Sequence, residues 1–336
     1  MGRRLPLCNA RCSSGWSTLA INRLSLIACE KSPAQKLPPI MWLVFALSSS
    51  LCWAVVHVLD AHCVKRVFDR PWMGVITSAL ASVVAVLLIP FVVPFVSWHV
   101  PSWEIVLLAL LAGGLIQFSQ GFYFQALAHS EAGIVAAYWN ITSVFLPVAS
   151  FAILGEVLAQ WHYFGIGLLV VASVAICLLD GNIEARWRSL FLMVIASCLQ
   201  VAALLIEKHV FDHSPFFVGF LIITAGIVLC GSLPLVLPSV RTAFKNNMMA
   251  LRPVIALIVA IEVINLAALF LSQRAISLGV PSLVAAVEST IPAYTLLLSF
   301  VLALTTKRLG DPKALRRLPA KLLLVAVMAI GLLLLT

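Results

Sequence analysis

Two glutamates stand where acids are rarely found. Glu288 lies in VAAVESTIPAY, residues 284–294, and Glu262 in ALIVAIEVINLAALF, residues 256–270. An acid inside such a run can hold or shed a proton, accept hydrogen bonds, or meet a cation. That chemistry suits proton coupling or recognition of an amine. A charge at the centre of a bilayer costs at least about 2.5 kcal/mol, so a role is the default reading. No Lys or Arg stands at comparable depth to neutralise either acid. The blander alternative is a neutral glutamate that only hydrogen-bonds between helices.

Other polar residues share these runs. Glu262, Asn265 and Ser272 are spaced three and seven apart, which places them on one helix face. Gln117 and Gln120 are three apart, on one face with Phe124. Trp139, Asn140 and Ser143 form a third group, and Ser289 and Tyr294 accompany Glu288. The candidate substrate-binding set is therefore Glu288, Glu262, Asn265, Gln117, Gln120, Trp139, Asn140 and Tyr294. The glutamines and Asn140 read equally well as glue between helices. Asn140-Ile141-Thr142 spells a glycosylation sequon, but its place in mid-span argues against one.

A second constellation is HVLDAH, residues 57–62, with EKHVFDH, residues 207–213. His57 and Asp60 are three apart, as are His209 and Asp212, a spacing that could bind a divalent cation. The plainer reading makes these helix ends, with His57, Asp60, Glu207 and His209 as gates. The eight cysteines are scattered and show neither metal-ligand spacing nor a disulfide framework. No resident metal or cofactor is expected. Neither a nucleophile elbow, a zincin motif nor a phosphate-binding loop is found, so the chain is not expected to be an enzyme.

What must position these residues is a membrane. Apolar residues make up 62% of the 336 and charged ones 10%, and nearly charge-free runs of about 20 residues recur. The net charge of +9 resides mostly in the N-terminal tail and between apolar runs, where it meets headgroups rather than nucleic acid. Residues 1–40 carry six Lys or Arg against one acid, Glu30, and read as a disordered tail or an over-extended start. A targeting segment is the alternative.

Breaks at Pro, Gly and charges divide the rest into ten spans. They run roughly 41–60, 71–94, 104–127, 132–154 and 161–180, then 188–207, 215–238, 253–276, 280–303 and 319–336. DGNIEARWR, residues 180–188, separates the halves. The halves overlay. Asp60 pairs with Glu207 and His62 with His209 at an offset of 147; VAAYWNITS, residues 135–143, pairs with VAAVESTIP at 149. Two matches in one order at nearly one offset imply a duplication, 41–180 and 188–336. An odd number of spans per copy makes the second run through the membrane in the opposite sense. The expected fold is an all-α integral membrane protein of ten helices in two inverted-topology five-helix repeats, with a shared midplane site. The inversion also puts Asp60 and Glu207 toward opposite faces. Pro147 and Pro292 each remove a helix hydrogen bond and let a span bend.

This pattern resembles the EamA-type members of the drug/metabolite transporter superfamily. The likeness is best over QALAHSEAGIVAAYWNITSVFLPVASFAILGEVLAQWHYFGIGLLVVASVAI, residues 125–176, and recurs in RAISLGVPSLVAAVESTIPAY, residues 274–294. An Ala-rich fourth span, a Leu154-Gly155-Glu156 ending and a Gly-containing fifth span carry it. The family's fourth-span proline is replaced by Ser143, with Pro147 four residues on, and its glutamate after the ninth span is Thr305. The resemblance implies a carrier but no substrate.

Orientation is in conflict. Loops after odd spans hold fourteen Lys or Arg and those after even spans only Lys208 and Arg274, which alone puts both termini outside. The basic tail and the family resemblance imply cytoplasmic termini. The function expected is a secondary carrier of a small polar or amphipathic metabolite, working by alternating access in the cell (inner) membrane, with proton coupling open. The alternative is a divalent-metal carrier using the His/carboxylate ends. The partners expected are a small-molecule substrate, the lipid bilayer and protons, not nucleic acid, with room for a homodimer.

Overall fold

In hydrocarbon no water satisfies a peptide group, so an apolar run must satisfy its own by forming helix. The computed structural model describes residues 40–68, 70–87, 99, 101–130, 132–180, 187–250, 255–305 and 317–335, and every regular element among them is helical. In chain order these are α1 (Met41–Arg66), α2 (Trp72–Leu87), α3 (Trp103–His129), α4 (Ala132–Trp139), α5 (Ile141–Leu154), α6 (Gln160–Asp180) and α7 (Trp187–His213). Then follow α8 (Phe216–Ser232), a 3₁₀ turn (Leu233–Val236), α9 (Pro238–Ala250), α10 (Ile255–Leu278), α11 (Pro281–Glu288), α12 (Ile291–Thr305) and α13 (Leu318–Leu333). Seven helical segments among the described residues are long and apolar enough to cross a membrane. Three shorter apolar helices, Trp72–Ala85, Gln160–Ile176 and Pro319–Leu333, accompany them. The protein is a multi-pass membrane protein. The basic tail before Ile40 and most of the 180–188 separator lie outside the described residues.

Some boundaries differ from the sequence reading. Helix α1 runs on to Arg66 and α7 to His213, so Asp60 and Glu207 lie six residues inside their helices rather than at the ends. Polar side chains alone do not stop a helix; the next strong breakers are Pro71 and Pro215. Helix α9, PSVRTAFKNNMMA, was not foreseen as an element. Its apolar residues are too few for a span, while Arg241 and Lys245 are exposed on it. Such a basic amphipathic helix suits the headgroup layer. At the end of α5, Gly155 adopts the left-handed conformation (φ 67°), and its N–H bonds to Phe151 O. The Ser150 hydroxyl then donates to Glu156 Oε2 at 2.6 Å. Together these account for the Leu154-Gly155-Glu156 ending.

Two spans are broken in the middle. Between α4 and α5, the Asn140 N–H reaches only to Ala137 O, three residues back. Between α11 and α12, Ser289 N–H and Thr290 N–H bond likewise to Ala286 O and Val287 O. One tight 3₁₀ turn thus replaces α-helix at Asn140 and at Ser289, positions equivalent in the offset of 149. The two breaks meet. The Ser289 hydroxyl donates to Ser143 Oγ at 3.0 Å, and Ser143 donates to Ala285 O at 2.7 Å.

The halves interlock rather than forming separate domains. Helix α3 packs most extensively on α7, and α1 on α10, each pairing one element from either half. Helix α8 closes on α2 and α3, and α6 on α13. Lipid offers no hydrophobic drive between helices, so close approach depends on small residues. Gly113 of α3 faces the backbone of Ile223 and Gly226 of α8, and Gly226 faces Leu110 O. Gly165 of α6 meets Gly331 of α13 in the same manner. Large apolar side chains such as Val148, Phe151, Phe164, Val171 and Leu333 point outward, as a lipid-facing surface requires.

Candidate functional site

The interlock leaves a cavity in the middle of the protein. Helix α1 supplies Trp53, His57 and Asp60, and α7 supplies Gln200, Leu204 and Glu207. Helix α3 adds Ile116, Gln120 and Tyr123, and α10 adds Leu269, Ser272 and Gln273. The two broken spans close it with Trp139, Glu288 and Ile291. The space open to a water-sized sphere is about 50 Å³, well below the roughly 300–1,000 Å³ of small-molecule sites, so the cavity must widen to admit a ligand.

Corresponding positions of the two halves line it. Trp53 with Gln200, His57 with Leu204 and Asp60 with Glu207 all share the offset of 147, and Trp139 with Glu288 that of 149. Ile116 and Gln120 stand to Leu269 and Gln273 at one further offset.

Helix periodicity explains each trio. Residues three and four apart share a face, so α1 and α7 each present three side chains along one stripe. The acids have partners. Glu288 Oε1 accepts from the Ser272 hydroxyl at 2.7 Å, and Glu207 Oε1 from Gln273 Nε2 at 2.6 Å. Asp60 accepts from Tyr123, whose oxygen stands 2.6 Å from His57 Nδ1. A tyrosine has one proton to give. With Asp60 ionised and taking it, the oxygen is left to accept from His57 Nδ1–H. Glu207 and Glu288 lie within electrostatic reach of each other, as do Asp60 and Glu262. Four rings, Trp53, His57, Tyr123 and Trp139, stack edge to face or tilted, with centroids 5.2–6.4 Å apart.

The cavity gathers some of the predicted site residues and not others. Glu288, Gln120 and Trp139 line it, joined by His57, Asp60 and Glu207, which the sequence reading placed at helix ends. Asp60 and Glu207 therefore line one cavity. Helix α1 carries Asp60 far enough from its end to reach the middle, and α7 does the same for Glu207. Glu262 does not share this cavity with Glu288. It lines a smaller crevice with Thr77, Cys63 and Gly74, and among the described residues only Asp60 touches both spaces. Asn265 Nδ2 is 3.0 Å from both Glu262 Oε2 and Ser78 Oγ, holding α10 to α2. Gln117 turns away from Gln120 and donates to Val75 O at 2.6 Å, because three residues of helix separate them by about 60°. Asn140, 4% exposed, donates to Ser173 Oγ at 2.8 Å and joins α4 to α6, which also leaves no room for a glycan. Tyr294 is only half-buried on α12 and does not line the cavity.

The metal reading fails on geometry. His209 is exposed and stacks on His213 with centroids 4.3 Å apart, while Asp212 is paired with Lys208 at 3.0 Å. Among the described residues no group of three or more His, Cys, Asp or Glu side chains is placed to hold a metal ion.

Gln273, Tyr123, Trp53 and Gln200 were not foreseen as site residues. One signal was present for the first: Ser119-Gln120 in α3 and Ser272-Gln273 in α10 repeat a dipeptide in equivalent helices. The others are common residues in apolar runs, and only the packing singles them out.

Comparison with known proteins agrees with this architecture. No curated protein matches the chain. One solved crystal structure, described only as that of a protein, superposes with a TM-score of 0.63 at 14% identity. It covers 88% of this chain and 96% of its own. That likeness concerns the fold alone. Residues 40–178 match the model of the EamA-like transporter family, so over that stretch the chain is similar to a family of the drug/metabolite transporter superfamily.

Proposed function

We propose that the protein is a secondary carrier of a small polar or amphipathic metabolite, driven by protons, in the cell's inner membrane. Ten rods serve as the spans: α4–α5 and α11–α12 each act as one broken rod, and α9 lies at the interface. Two five-helix repeats of opposite sense rock about the central cavity. The observation that carries this reading is that equivalent residues of the two halves line one cavity. A site made by both repeats is what alternating access requires, because moving one repeat against the other opens it to each side in turn. The twin breaks at Asn140 and Ser289, in contact through Ser143, supply a place for the halves to pivot. Glu288 and Glu207 face the substrate, and Asp60 connects the cavity to Glu262.

The decisive measurement is a metabolite screen in proteoliposomes with and without an imposed proton gradient. At least one small metabolite is expected to accumulate only with the gradient. Flux indifferent to the gradient for every transported compound would remove the proton coupling, and no flux at all would remove the carrier. The separation of the two acids gives a finer expectation. Glu262→Gln is expected to leave the affinity for the transported compound within about threefold, whereas Glu288→Gln weakens it about tenfold or more, a difference of about 1 kcal/mol. Equal losses would mean that Glu262 reaches the bound molecule.

A further inference from the structure

The two sides of the cavity differ in chemistry, and the difference defines what fits between them. The ring-bearing wall comes from the first half: Trp53, His57, Tyr123 and Trp139. The second half brings no ring to the described lining and supplies Glu207, Gln273 and Glu288, to which the first half adds Asp60 behind Tyr123. At equivalent positions, then, the first half carries aromatic Trp139 where the second carries acidic Glu288, and Trp53 where the second carries Gln200. Among the described lining residues there is no Lys or Arg. His57 is the one lining side chain able to become positive, and its Nδ1 is already engaged by Tyr123 at 2.6 Å.

One polar atom in this wall lacks a partner. Gln273 is 1% exposed, its Nε2 is spent on Glu207, and its Oε1 accepts no hydrogen bond. A buried acceptor left unmade costs roughly 1–3 kcal/mol, so a donor from a bound molecule would recover that cost. The site therefore offers acceptors (Gln273 Oε1, Glu207, Glu288 and Asp60) and rings, but no fixed cation. Resting on the carrier reading and deepening it, we propose that the substrate is an organic monocation: a protonated amine on an aromatic or similarly flat apolar body. Its ammonium donates to Gln273 Oε1 and the flanking carboxylates, and its body lies against the Trp139–Tyr123 wall, where ring faces also attract cations. An amino acid of the same skeleton brings a carboxylate into a cavity that already holds acids, and no basic side chain receives it. Like charges brought together in such a site cost several kcal/mol.

Three probes of one skeleton test this on the purified full-length protein by calorimetric titration: phenethylamine, phenylalanine and phenylacetate. Phenethylamine is expected to bind, with the zwitterion and the anion at least about tenfold weaker. Glu207→Gln and Glu288→Gln, each checked for an unchanged melting profile, are expected to weaken phenethylamine binding about tenfold and to narrow the gap to phenylalanine. Equal or tighter binding of phenylalanine or phenylacetate would overturn the assignment, as would binding of none of the three. The outcome is separable from the carrier reading. Phenethylamine binding without flux in proteoliposomes supports the ligand class and sinks the carrier. Flux of an anionic or zwitterionic metabolite, with no amine bound, sinks the ligand class and leaves the carrier standing.

Discussion

Glu288→Gln is expected to purify folded and monodisperse and to lose gradient-driven accumulation about tenfold or more. The substitution keeps the shape of the side chain, and its amide oxygen still accepts from the Ser272 hydroxyl, which now stands 2.7 Å from Glu288 Oε1. What it removes is the ability to carry a charge or pass a proton. Glu288 is the last residue of α11, immediately before the break at Ser289, so its carboxyl moves with any change in the angle between α11 and α12. In the proposed carrier mechanism its proton affinity is thereby tied to the hinge about which the cavity opens. Exchange across vesicles without a gradient separates binding from coupling, since a coupling defect alone leaves exchange intact. Ser272→Ala is the control. It removes one interhelical hydrogen bond, worth about 0.6 kcal/mol in membranes, but retains the acid, and gradient-driven flux is expected to fall less than threefold. Wild-type accumulation in Glu288→Gln would take Glu288 out of the mechanism.

The sequence was informative where physics is local and less so where it depends on neighbours. Helices and their approximate limits followed from apolar runs, because the bilayer imposes both their length and their hydrogen bonding. The frame shared by VAAYWNITS and VAAVESTIP pointed to the two spans that turn out to be broken at equivalent residues. Faces of helices were harder. Gln117 and Gln120 are three apart, yet one reaches Val75 O and the other lines the cavity, since a face 60° wide can border two different neighbours. The polar clusters around Asp60 and Glu207 read as helix ends in the sequence. Their helices in fact continue, and burial is tolerated because Tyr123 and Gln273 donate to them. Neither partner could be assigned without knowing that α3 lies beside α1, and α10 beside α7.

Gly113→Val and Gly226→Val are each expected to abolish monodisperse folded protein, or to lower its melting temperature by more than about 10 °C. A Cβ at Gly113 would overlap Ile223 O and press on Ile227 N and Gly226 Cα; one at Gly226 would overlap Leu110 O. These are backbone atoms of packed helices, not the ends of flexible side chains, so α3 and α8 must part to relieve the clash. In lipid that loses the close packing on which their association depends, and no gain in buried apolar area offsets it. The consequence reaches the site. Ile116, Gln120 and Tyr123 lie three, seven and ten residues beyond Gly113 on α3, so displacing the helix shifts the ring-bearing wall of the cavity. Gly121→Val and Gly167→Val provide the contrast. Nothing stands within 4 Å of a Cβ at either position, and melting is expected to change by no more than about 3 °C. A series in which all four variants melt alike would show that α3 and α8 do not approach this closely, and the cavity built on their approach would have to be redrawn.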